Sequence, residues 1–339
     1  MRWWLTWLTV AVVAVGAGLL IRARRETVVT TDPGTGELGR NFRFDVSDLK
    51  RLDPSLLMGR ERAPVPALVE SPHALAVDEA DRLIVGGKDE IAVIETNGVV
   101  RSRIPVPFAV RCVTIEEDGA LYVGHTDHVG VYHQGGQAPT QWPSLGSNAV
   151  LTSIATAGET VFVADAGNRV IWRMDKTGKV LGRIGDKSEG YDGFVIPSPH
   201  FDLAIGSVGE LWVVDPGRHT LTAFGSDGRR RSVWGQAGMA AAGFSGCCNP
   251  TDIAIRSDGS FVTSEKGLVR VKLYTPAGEL LGVLAGPEQF DEDVRGLDLA
   301  VDRAGRIMVL DPARGQVRVF EVKETERSWN SESRTQESE

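Results

Sequence analysis

A turn between two short apolar strands recurs six times along the chain, at Asp81, Gly119, Gly158, Gly209, Gly259 and Gly305. The spacings are 38, 39, 51, 50 and 46 residues. The flanking segments read HALAVD with RLIVGG, VTIEED with ALYVGH, TSIATA with TVFVAD, DLAIGS with ELWVVD, DIAIRS with SFVTSE, and DLAVDR with RIMVLD. Each is aliphatic, β-branched or aromatic and is bounded by turn formers, the pattern of short strands. A lone four-stranded sheet cannot bury both faces, and a period of about 40 to 50 residues is that of one blade stacked on its neighbours. The repeat predicts an all-β fold, a six-bladed β-propeller.

The third copy runs VFVADAGNRVIWRMDKTGKVLGRIG over residues 161–185, and LWVVDPGRHTLTAFGSDG and IMVLDPARGQVRVF repeat its pattern in copies four and six. These segments resemble the NHL-repeat family over residues 56–322. The resemblance implies a six-bladed NHL-like ring. It leaves the function open, because NHL propellers include protein binders, RNA binders and a zinc-dependent amidating lyase. Copies one and two depart from the family, with VGGKDE and VGHTDH where an acid is expected.

Outside the repeats, residues 3–21 carry no charge and are flanked by Arg2 and by Arg22, Arg24 and Arg25. At about 1.5 Å per residue that run matches a bilayer core, so residues 1–25 are expected to be one N-terminal transmembrane helix acting as a signal anchor. A cleaved signal peptide is the alternative, with Gly16, Ala17 and Gly18 near a cleavage site. The three arginines after the span favour a cytoplasmic propeller by the positive-inside rule. The layout of an anchor ahead of one compact domain favours the opposite, extracytoplasmic side, and that is the expectation here. Residues 26–54 read as a linker, 55–323 as the propeller, and 324–339 as a polar tail without a packed core. The sixth copy offers only three strands, so SLLMGR at 55–60 is expected to supply the fourth and close the ring.

The formal charge of −8 becomes −12 once the four arginines of the first 25 residues are set aside. Such a surface repels phosphate backbones, and nucleic acid is excluded as a partner.

In a propeller, the loop leading into each innermost strand and the loop joining the second and third strands emerge on one face, where ligands gather. Aligning the copies puts Pro72, Val110, Ala149, His200, Pro250 and Gly296 at the channel mouth, followed by His73, Arg111, Val150, Phe201, Thr251 and Leu297. The second-to-third-strand loops place Gly87, His125, Asp165, Asp215, Glu265 and Asp311 at one position, with His128 and His219 shortly after. Asp165, Asp215 and Asp311 are expected to cap their own loops, paired with Arg169, Arg218 and Arg314. His125 breaks that pattern. Arg295 belongs to the same face.

By resemblance to the amidating lyase, which holds zinc with three histidines round the mouth, His73 and His200 stand at ligand positions. His125 completes a metal set only if its loop reaches the axis. Asn148 and Asn249 lie where a calcium-dependent lactonase of similar architecture places its ligands, with no acid evident beside them. The segment SGCCNP at 245–250 is the least expected. Neighbouring Cα atoms lie about 3.8 Å apart, below the usual disulfide range of about 4.4 to 6.8 Å, so Cys247 and Cys248 are read as thiols, a strained reducible pair or a soft-metal ligand. Cys112 opens blade two, across the ring.

The chain has no GxSxG elbow, Walker loop, HExxH or CxxC. The reading is a membrane-tethered propeller that binds a protein or small ligand through His73, Arg111, His125, His128, His200, His219, Cys247, Cys248, Asn249 and Arg295. The alternatives are a metal-dependent lyase or hydrolase using His73, His125 and His200, and a redox or metal-handling protein using the cysteine pair. No cofactor follows from the sequence.

Overall fold

The computed structural model describes residues 50–133, 138–187, 191–291, 294 and 296–323. The anchor, the first part of the linker, Arg295 and the polar tail lie outside the described residues. Among the described residues no helix is long and apolar enough to cross a membrane.

Six antiparallel sheets follow one another. Their innermost strands are Ala74–Val77, Cys112–Ile115, Leu151–Ala157, Leu203–Ile205, Asp252–Ile255 and Asp298–Val301. The second strands are Leu83–Gly86, Ala120–Gly124, Thr160–Asp165, Leu211–Asp215, Phe261–Glu265 and Ile307–Asp311. Third and fourth strands lie further out in each. All six of the recurring turns take a left-handed residue, with φ from 58° to 84°. Glycine enters that region freely, and Asp81 (φ 60°) is the one residue with a side chain to do so there. Its carboxylate accepts the amide of Arg303 from blade six at 3.0 Å.

The apolar faces meet between blades. Leu75, Leu83 and Val85 of blade one pack on Met308, Leu310 and Val319 of blade six, and Phe162 and Ala164 of blade three on Leu203 and Val213 of blade four. No blade has a core of its own, which is why the period must be repeated until the ring shuts.

Closure uses two short strands displaced toward the C-terminus from the expected 55–60. Gly59–Glu61 pairs with the end of Gln316–Val322, and Val65–Pro66 with its beginning. Met58 donates its amide to Val283 of blade five at 2.9 Å and accepts from Lys323 at 2.7 Å, so the segment bridges the last two blades. A Cβ on Gly59 would lie 2.1 Å from the Leu284 carbonyl oxygen; only glycine allows so close an approach. Arg318, buried in blade six, holds the closing strand through both oxygens of Glu61 at 2.7 and 2.8 Å.

Candidate functional site

The six innermost strands enclose a channel of about 780 Å³. At one ring of positions the side chains are Ala74, Cys112, Ser153, Asp202, Asp252 and Asp298; a β-bulge after Leu151 brings Ser153 into that register. Each polar member from blade three onward accepts the backbone amide of the next blade. Ser153 Oγ takes Leu203 at 3.3 Å, Asp202 takes Ile253 at 2.7 Å, Asp252 takes Leu299 at 3.0 Å, and Asp298 takes Leu75 at 2.6 Å.

These latches crowd three carboxyls round one axis. They stand deep in the molecule while keeping partial exposure to the channel. Burial pushes Asp298 up to about 8, and the Asp202 charge adds to it. Burial likewise raises Asp202 to about 6 against hydrogen bonds from Ser153, Ile253 and Leu203. Asp252 is held well above the ordinary value by burial and by the charges of Asp202 and Asp298. Asp202 and Asp252 are neighbours on the axis, and the Asp202 charge is among the causes that hold the proton on Asp252. These acids were not singled out from the sequence, although the repeated Asp of DLAI, DIAI and DLAV carried the signal two residues beyond His200, Pro250 and Gly296. Asn249 does not join them: its side chain is spent on Ser245 and Lys266.

His73, Arg111 and His200 line the channel at its mouth, as expected. Burial, the Lys266 ammonium and His73 push His200 down to about 4. Burial and Arg111 lower His73. Both imidazoles are neutral at pH 7, beside the cations Arg111 and Lys266. Lys266 was not singled out from the sequence; it donates to Ser198 Oγ at 2.7 Å, and its amide donates to Asn249 at 2.8 Å.

His125 does not line the channel. It is wholly buried in blade two, with Nδ1 3.1 Å from the Ala109 carbonyl oxygen and Nε2 3.2 Å from the Tyr132 hydroxyl. His128 contacts Asp127 at 2.9 Å. Phe108 lies edge-on to both imidazoles while half of it stays exposed. The three histidines of the metal reading are therefore not brought together, and among the described residues no group of three or more His, Cys, Asp or Glu has metal-binding spacing. His219 takes a left-handed φ of 60°, with its Nδ1 buried and without a partner.

The loop acids cap their own loops; one takes the arginine expected for it and two do not. Asp215 pairs with Arg218 at 2.6 Å. Asp165 is held by Asn168 and by the Trp172 indole, not by Arg169. Arg314 turns to Asp291 at 2.7 Å, leaving one buried oxygen of Asp311 unpaired. Glu265 is the anchor of blade five, with Arg270 at 2.6 Å and Lys272 at 3.1 Å, all three buried. Burial brings the Lys272 ammonium down to about 8, although Glu265 opposes this.

Cys247 is exposed and Cys248 buried, both free, with their sulfurs 3.0 Å apart. Burial alone would raise the Cys248 thiol; hydrogen bonds from Cys247 and Ser198 and the Lys266 charge outweigh it and bring it below the ordinary value. Cys247 is raised, chiefly through its hydrogen bond to Cys248. Cys112 faces the ring, its thiol driven far up by burial and then by Asp298 and Asp202.

Fold and channel together define a six-bladed β-propeller with an acid-lined axis. No family model and no curated protein matches the sequence. Among solved structures, a streptogramin B lyase superposes with a TM-score of 0.57 at 11% identity, covering 80% of this chain and all of that one. The virginiamycin B lyase of Staphylococcus aureus gives 0.53 at 16%, covering 75% of this chain and 81% of that one. A gluconolactonase of Xanthomonas campestris gives 0.57 at 15%, covering 79% and 91%. At such identities the likeness is one of fold.

Proposed function

We propose that this chain is a ligand-binding propeller, held on the outer side of a membrane by residues 1–25, that takes a small anionic molecule at the mouth of its channel. The observation that carries the reading is that Arg111 and two neutral imidazoles, His73 and His200, line a channel of about 780 Å³, with the Lys266 ammonium close enough to lower His200. A cavity of that size with a few polar groups at one end suits a small ligand. The cations take the charge, and the imidazoles donate or accept one hydrogen bond each without adding a charge of their own. The net charge of the chain disfavours nucleic acid as the anion.

Isothermal titration of the full chain with a panel of small carboxylates and phosphates, each beside a neutral isostere, tests this. An anionic member should bind, its isostere should not, and Arg111→Gln should weaken binding by about tenfold, or about 1.4 kcal/mol. Equal binding of anion and isostere would defeat the reading.

One observation favours a second reading. Asp252, held protonated beside Asp202, gives the channel a carboxylic acid next to a carboxylate, the pairing used for general acid–base work. The folds named above include two lyases and a lactonase, so ring opening of a cyclic ester is the reaction to assay. Turnover that disappears in Asp252→Asn would establish it. The metal-dependent form of this reading loses His125, which is spent on Ala109 and Tyr132.

A further inference from the structure

The loop at 245–250 is fixed at both ends. Ser245 donates its amide and hydroxyl to Glu265 at 2.6 and 3.1 Å. Asn249 donates to the carbonyl oxygens of Ser245 at 2.6 Å and Lys266 at 3.0 Å. Beneath it, Arg270 and Lys272 reach the carbonyls of residues 239–243, so the preceding segment is fastened too. A chain that needed only to turn toward Pro250 would not require this platform. What the platform holds in place is two sulfurs 3.0 Å apart, one of them exposed.

That separation is well beyond a disulfide bond of about 2.05 Å. It matches two sulfurs sharing one soft atom: with sulfur bonds of about 2.3 Å the angle at that atom is about 80°, which suits a pyramidal centre. A two-coordinate soft ion such as Cu(I) prefers its sulfurs nearly opposite each other, about 4.6 Å apart at such bond lengths, far wider than the 3.0 Å here, and the Lys266 ammonium opposes a multiply charged cation. A neutral trivalent metalloid that carries its own third substituent needs only the two thiols.

We propose that Cys247 and Cys248 form a dithiol site for trivalent metalloid compounds of the arsenic and antimony class. Capture exchanges bonds without redox change. Each thiol loses its proton, two sulfur–arsenic bonds form, and the oxide oxygen of the metalloid leaves as water with those two protons. Ser198 and Lys266 hold the Cys248 sulfur from within, while Cys247 stays open to solvent.

The test uses the reduced full-length protein and phenylarsine oxide. One equivalent should bind, resist glutathione and be released by a dithiol such as 2,3-dimercaptopropanol. Cys247→Ser and Cys248→Ser should each weaken binding by about a hundredfold or more, because the second bond is intramolecular. Cys112, buried across the ring, cannot replace either partner. Melting curves verify that the variants fold, and Cys247→Ala, at an exposed position, serves if a serine at 248 disturbs the loop. Binding that survives either single substitution, or that glutathione strips, overturns the proposal. So does a wild-type protein that binds no arsenical when fully reduced.

Discussion

Asp298 in blade six accepts the amide of Leu75 in blade one at 2.6 Å, fastening the last blade to the first from inside the ring. The same latch joins blades four to five and five to six through Asp202 and Asp252. What makes the acceptors good also makes them costly: three carboxyls on one axis cannot all ionise, and the ring keeps protons that free aspartates would lose at pH 7. Assembly and the channel's acid–base character therefore rest on the same side chains.

Replacing Asp298 by asparagine separates the two roles, because the amide oxygen still accepts from Leu75 but cannot ionise. The folded-state value of about 8 lies above the ordinary 3.8, so the folded chain binds the extra proton. The stability this contributes is complete below 3.8 and is lost as pH rises through about 8. Denaturant midpoints should fall over that range more steeply in the wild type than in Asp298→Asn. Parallel curves would show that the carboxyl is not the titrating group.

Glu265→Gln should be among the most damaging single changes. It leaves Arg270 and Lys272 buried without a counter-charge, a loss on the order of 3–5 kcal/mol. Glu95→Gln is the control. That residue pairs with Arg101 at the surface, where such a bridge contributes less than about 1 kcal/mol. Urea unfolding of both variants should separate them clearly, and similar midpoints would refute the anchoring role.

Removing residues up to 50 should leave the melting transition where it is. Removal through Pro66 deletes both closing strands, bares the edge of Gln316–Val322 and should produce aggregates visible by light scattering. Gly59→Val should act in the same direction without truncation, since its side chain would run into the Leu284 carbonyl. A soluble, cooperative product from the longer deletion would contradict the closure.

For the proposed membrane side, a cysteine placed at Ser333, with the native cysteines changed to alanine, should react with an impermeant maleimide on intact cells. Labelling only after lysis would put the propeller in the cytoplasm.

The blades were legible because a turn that needs a left-handed residue leaves a glycine, or Asp81, at every copy. The closing strand was legible as a need, and its place was shifted because Gly59 is selected by the Leu284 backbone, a contact with no local pattern. Asp202, Asp252 and Asp298 went unread as a site although they begin three similar strands in the sequence. An alternating strand shows which face a side chain takes, not that six such faces converge on one axis. His125 stood out correctly as an exception, yet its buried partner Tyr132 sits on the next strand and marks the exception as structural. The cysteines were conspicuous, whereas Ser198 and Lys266, which orient Cys248, come from other loops.

The closing strand has a mechanical meaning. If residues 1–25 hold the chain to a surface, tension enters the ring at the bond from Met58 to Val283 and then meets the Gly59–Val322 rung. Pulled away from the sheet, the rungs would break in sequence, Glu61 leaving Arg318 next and Val65 last. The ring's seam would thus be its fuse, and the five blades that carry four strands of their own would be spared until it opened.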